Sequence, residues 1–157
     1  MVLAINKPMS NELRQQAIRL LARREHTRVE LTRKLAGLGT REEIDAVLAD
    51  MAASQLQSDN RTAENYLRSN ASRLGASRLI HTLKTRGVAP EMIEEQLAQA
   101  DLPDEIERAR AAWSRKFSAA PSNPKEWARQ ARFLRSRGFA GDIVRRLLKQ
   151  PLETEGE

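Results

Sequence analysis

Thr27-Arg-Val-Glu30-Leu-Thr-Arg-Lys-Leu35-Ala-Gly-Leu-Gly39-Thr40-Arg-Glu-Glu43-Ile44 carries two helix starts on either side of one helix stop. Thr27 with Glu30, and Thr40 with Glu43, have the spacing of capping boxes. In such a box the threonine oxygen takes an orphan amide of the first turn, and the glutamate reaches back to the cap residue. Leu31, Leu35 and Leu38 form the apolar stripe of the helix that Thr27 opens. Gly39 reads as its stop, because a residue without Cβ enters the left-handed region freely. Ile44, Val47, Leu48 and Met51 then fall at i, i+3, i+4 and i+7, one face of a second helix. The stretch predicts two short helices joined by a tight turn.

Moving outward, the same phrase recurs. Leu35, Gly39, Ile44 and Leu48 are echoed by Leu83, Gly87, Ile93 and Leu97, and again by Leu134, Gly138, Ile143 and Leu147. The glycines recur after 48 and then 51 residues, the period of a two- or three-helix repeat. Upstream, Leu13, Ala17, Leu20 and Leu21 predict a helix over about residues 10–25 with Ser10 as its cap. Ser58 and Asp59 open the second repeat, with a break at Leu74-Gly75 and Pro90 at a first helical position. Ile106, Ala109, Trp113 and Phe117 lie along one face in the third. Pro121-Ser-Asn-Pro124 then interrupts, with Asn123 as cap and Pro124 in the next first turn. The resulting division is a tail at 1–9, repeats at 10–57, 58–101 and 102–150, and an acidic tail at 151–157. The predicted fold is all-α, an elongated array of three tandem three-helix repeats.

Composition agrees. Hydrophobic residues at 40% and charged residues at 31% describe a globular chain, and aromatics at 4% leave the core to Leu, Ile, Val and Ala. With no cysteine, disulfides, thiolate chemistry and cysteine-held metal sites are excluded. The apolar run Val2 to Ile5 is too short for a signal peptide or a membrane span, so the chain reads as soluble and cytoplasmic; a monomer is expected.

The formal charge is +6 and uneven: between Pro121 and Pro151 eight basic side chains face only Glu126 and Asp142. Such a surface suits a polyanion. The candidate contact residues are Arg23, Arg24, Arg28, Arg33 and Lys34 in repeat one, Arg73, Arg78, Lys84 and Arg86 in repeat two, and Lys125, Arg129, Arg132, Arg135 and Arg137 in repeat three. Taken singly, each reads equally as solvated surface with i,i+4 partners, such as Glu30 with Lys34. Arg24-Glu25 also suits a brace between helices, and Arg86 and Arg137 suit the cation that a helix C-terminus favours. The stripe Lys125, Arg129, Arg132, with few acids nearby, reads as a contact surface for phosphates rather than for bases.

Catalysis has no residues to stand on. His26 and His81 lie in different repeats with no carboxylates at ligand spacing, and neither a Walker loop, a His-Glu-x-x-His nor a nucleophile elbow occurs. No cofactor is implied. Trp113 and Trp127 read as packing anchors.

Several of these signals, in order, resemble the RecX family of bacterial regulatory proteins. They are Leu21-Ala-Arg-Arg-Glu-His-Thr-Arg-Val-Glu-Leu-Thr-Arg-Lys-Leu35, then Ser58-Asp59, Ala63, Tyr66, Gly75 and Arg86-Gly87, and last Leu134-Arg-Ser-Arg-Gly-Phe139 with Ile143. Thr62 and Asn70 depart from the family's usual phenylalanine and arginine. The resemblance implies three three-helix modules that lodge in the groove of a RecA-type recombinase filament on DNA. It further implies inhibition of ATP hydrolysis and strand exchange, by groove occupancy or end capping, within DNA repair, recombination and the SOS response. The alternative from the charge pattern is an autonomous, sequence-nonspecific nucleic-acid-binding helical protein.

Overall fold

The computed structural model describes the backbone of residues 2–149 and the side chains of residues 11–149. Among these residues all regular structure is helical: α1 (Val2–Arg23), α2 (Arg28–Leu35), α3 (Arg41–Ala53), α4 (Asp59–Asn70), α5 (Ala76–Arg86), α6 (Pro90–Gln99), α7 (Glu105–Lys116), α8 (Pro124–Ser136) and α9 (Gly141–Leu148). The all-α expectation and the three helices per repeat hold. Helix α1 begins at Val2, so Ser10 lies inside it and does not cap it. Pro151 and the acidic tail at 151–157 lie outside the described residues.

The chain packs as two compact units. One comprises Met1–Asn65 with Leu83–Gln96, the other Tyr66–Thr82 with Leu97–Glu157, so the second repeat contributes to both. The first unit is built on the stripes read from sequence. Leu13 and Ala17 of α1, Leu31 and Leu35 of α2, and Ile44, Val47, Leu48 and Met51 of α3 form one buried cluster, flanked by Leu20 and Leu21. Both capping boxes are made. The Thr27 and Thr40 hydroxyls accept the Glu30 and Glu43 amides at 3.0 and 3.2 Å, and each glutamate accepts the cap amide at 3.1 Å.

Gly39 corrects the sequence reading. Among the described glycines only Gly87 and Gly138 have positive φ, at 97° and 92°. Helix α2 has already ended at Leu35, and the turn through Ala36, Gly37 and Leu38 reverses the chain, leaving Leu38 exposed instead of in the stripe. Gly39 instead lies close to the core: a Cβ there would come within 2.8 Å of Leu13 Cδ1, and that side chain would have to shift.

In the second unit Ala109, Ala112, Ala131, Leu134, Phe139, Ile143 and Val144 form the buried cluster, with Trp113, Trp127 and Phe133 packed against it. The tryptophans act as anchors. Trp113 Nε1 donates to Gln130 Oε1 at 2.7 Å, and Trp127 Nε1 to the Lys149 carbonyl at 2.8 Å. Asn123 caps α8 by accepting the Glu126 amide at 2.8 Å, with Pro124 at the first position. Phe117 is the C-cap of α7, in extended conformation, rather than part of its stripe. The α4–α5 turn is fixed within this unit by the Gly75 amide, which donates to the Arg137 carbonyl at 2.8 Å, and by the Ala76 amide, which donates to Glu105 at 3.1 Å.

Candidate functional site

The basic side chains singled out in the sequence separate into two kinds. In the first unit, several are tied down by the chain itself. Glu30, which closes the capping box at Thr27, also receives Arg24 at 2.9 Å and Arg86 at 3.0 Å. Its expected i,i+4 partner Lys34 is not among its contacts; Lys34 and Arg33 stand exposed on the last turn of α2. Burial acts to raise the Glu30 pKa, but the Thr27 amide and the two guanidiniums outweigh it and hold the carboxyl below its ordinary value. Arg86 further donates to the Glu25 carbonyl at 3.3 Å, while Glu25 pairs with Arg61 at 2.6 Å. The brace read at Arg24-Glu25 is therefore built by both residues, each toward a different helix.

Arg28 is half-buried, its amide donating to Asp59 Oδ1 at 2.9 Å and its guanidinium reaching the Asp45 carbonyl at 3.5 Å. Arg23 and Lys84 are exposed in last helical turns. Next to this network lies His26, buried to 1%. Its Nδ1 faces the Arg24 carbonyl at 2.9 Å, so this nitrogen donates. Desolvation, with the Arg24 charge added, lowers its pKa, although the Arg24 carbonyl works the other way. Its own carbonyl accepts from Gln57 and Thr62, each at 3.3 Å, so Thr62, the family departure, is a buried joint between the α1–α2 loop and α4.

In the second unit the picture reverses. A cavity of about 500 Å³ is lined by Arg73, Leu74, Ala112, Arg115, Lys116, Phe133 and Arg137, with no carboxylate among them. Arg73 is steadied by Asn70 Oδ1 at 2.7 Å, the second family departure. Arg137 lies over the Phe133 ring at 4.9 Å from its centroid and Lys116 at 6.0 Å, the range of cation–π attraction. Phe133 meets Phe117 edge-on at 5.4 Å, and Arg129 sits over Phe117 at 5.5 Å. Exposed cations are thus seated along an aromatic ridge. Lys125, Arg132 and Arg135 are exposed on α8 beyond it, and Arg78 donates to the Ser136 carbonyl at 3.2 Å.

Arg115 and Lys116 were not singled out in the sequence. On α7 they follow Glu105, Glu107, Arg108 and Arg110 and read as the cations that a helix C-terminus favours; the cavity arises when the α4–α5 turn meets α7 and α8. Among the described residues no group of three metal-ligating side chains occurs, and no helix is long and apolar enough to cross a membrane.

Comparison with known proteins meets this geometry repeat by repeat. Family models described as the first, second and third three-helix domains of RecX match residues 14–51, 58–97 and 103–148. The chain belongs to the RecX family. It is 41% identical over 137 residues to the regulatory protein RecX of Chromobacterium violaceum, covering 87% of this chain and 88% of that one. It is 40% identical over 148 residues to the regulatory protein RecX of Leptothrix cholodnii, covering 94% and 93%. The fold is similar to the crystal structure of RecX from Lactobacillus salivarius, with a TM-score of 0.75 at 20% identity over 90% of this chain and 96% of that one. A second crystal structure of a regulatory protein RecX gives 0.74 at 18% identity, over 93% and 76%.

Proposed function

We propose that this RecX-family chain is a non-enzymatic regulator that binds a RecA-type recombinase filament on DNA, in the cytoplasm, and inhibits its ATP hydrolysis and strand exchange. The observation that carries the reading is the match of all three family domains, in order, across nearly the whole chain. The physical character of the chain supports it. Tandem helical repeats present similar units in series, which suits a polymeric target. Weak contacts made by linked repeats become intramolecular after the first, so avidity accumulates without one tight site.

Titrating the protein into a recombinase ATPase reaction on single-stranded DNA, at two salt concentrations, tests this. Inhibition is expected in both. Saturation near one chain per filament subunit would indicate groove occupancy, and saturation far below that ratio would indicate end capping. An ATPase rate unchanged at an excess of the protein would refute the proposal.

A further inference from the structure

We infer that the cavity between Arg73, Arg115, Lys116 and Arg137 is a binding site for the phosphodiester backbone of a nucleic-acid strand. This goes beyond the filament reading, because it concerns the chain on bare nucleic acid. Four cations line one concave surface without a carboxylate to neutralise them. Like charges held together leave a strongly positive local potential that an anion relieves. They are also held in place: Arg137 and Lys116 rest on Phe133, and Arg73 on Asn70. A guanidinium on a ring face keeps its N–H donors at the edge, where phosphate oxygens can accept them.

Phosphate esters occur on free nucleotides as well as on strands. The strand is favoured because the cations do not stop at the cavity: Arg129, over Phe117, continues the same aromatic ridge from Phe133. A row of charges spaced along a ridge serves an anion with repeating charges, and leaves a single small anion with contacts unused. Leu74, Ala112 and Phe133 give the cavity an apolar floor for the sugar and base edges that accompany a phosphodiester.

The test is anisotropy of a labelled oligo(dT) titrated with the full-length chain at several salt concentrations. Arg115→Ala and Lys116→Ala, both at exposed positions, should each weaken binding about tenfold near 0.1 M salt and each flatten the slope of log affinity against log salt by about one. Arg115→Lys should keep most of the affinity. Arg145→Ala with Arg146→Ala, exposed on α9 outside the cavity, should leave both quantities close to the parent, and circular dichroism checks that every variant is folded.

An equal loss in the α9 pair, or no loss in the cavity variants, overturns the inference, as does a parent chain that does not bind the oligonucleotide. Displacement of the oligonucleotide by micromolar ATP or inorganic phosphate overturns the strand as ligand, whereas displacement only by competing strands supports it. If the cavity variants keep their affinity for DNA but lose inhibition of the recombinase ATPase, the cavity meets an acidic protein surface. The inference then falls while the filament reading stands.

Discussion

Thr27 and Thr40 occupy equivalent positions in two capping boxes, yet replacing each by alanine should have different consequences. Thr40 is exposed, and its hydroxyl serves only the Glu43 amide. Losing such a cap costs about 1 kcal/mol. Thr27 is fully buried, and its hydroxyl, besides accepting the Glu30 amide, donates to the Arg86 carbonyl at 2.5 Å. That carbonyl ends α5, and the residue four positions on is Pro90, which has no amide to offer it. Withdrawing the donor from this partly buried carbonyl costs about 1 kcal/mol beyond the cap. Thr27→Ala should therefore destabilise by roughly 2 kcal/mol, against about 1 for Thr40→Ala. Thr27→Ser, which keeps both hydrogen bonds, should recover most of the difference. Urea unfolding followed by far-UV circular dichroism measures this. Tryptophan fluorescence in parallel reports the second unit, which holds both tryptophans. If Thr27→Ala and Thr40→Ala agree within about 0.5 kcal/mol, a spread typical of ordinary surface changes, then the hydroxyl at position 27 acts only as a local cap.

Gly138→Ala should cost at least about 2 kcal/mol, since φ is 92° and the added carbon would overlap the Arg78 backbone and Cβ, while Gly37→Ala, with nothing within 4 Å, should be neutral or slightly stabilising in the same melt. Stability should fall in two stages on acidification. Folding lowers the pKa of His26, so the unfolded chain takes up its proton first and stability declines as pH drops below the ordinary value of 6.5. Glu30 is likewise depressed, so its contribution is complete above 4.5 and is lost as pH falls further, through its folded value. His26→Asn should remove the upper stage, and Glu30→Gln should shrink the lower one, to which Glu126, also held below its ordinary value by Ser122, contributes as well, in pH-resolved urea melts; an unchanged profile in either variant would contradict the assignment. Arg86→Ala should lower the unfolding midpoint, whereas Arg132→Ala, exposed, should leave it within experimental scatter.

What could be read from the sequence was whatever a few neighbouring residues decide. The boxes at Thr27 and Thr40, the Asn123-Pro124 start, Pro90 at a first position and the positive φ of Gly87 and Gly138 all depend on backbone chemistry within about one helical turn, and the chain displays it directly. Gly39 failed because the same residue type answers two needs, left-handed backbone and close approach. Only the position of Leu13, 26 residues away in sequence, distinguishes them. Glu30 failed for a related reason. Its i,i+4 neighbour Lys34 is available to any helix, but folding brings Arg24 and Arg86 to the same carboxylate, and their planar donors form short hydrogen bonds there while Lys34 remains in solvent.

The same competition explains why a count of arginines could not locate the proposed binding surface. A guanidinium already paired with a carboxylate has its field largely cancelled at the range a partner would feel, so Arg24 and Arg86 contribute chiefly to holding the first unit together. Lys116 and Arg137 sit over the Phe133 ring, which steadies a cation without neutralising it, because a ring quadrupole carries no net charge. The second unit thus keeps its cations ordered and their charge available, which is the condition an electrostatic contact requires. The local stretch from Pro121 to Pro151 suggested that excess, but five of the seven residues that line the cavity come from α7 and the α4–α5 turn. Arg73 is the single charge of that turn, and Arg115 and Lys116 end a helix that opens with Glu105 and Glu107, so only folding gathers these cations beside Arg137.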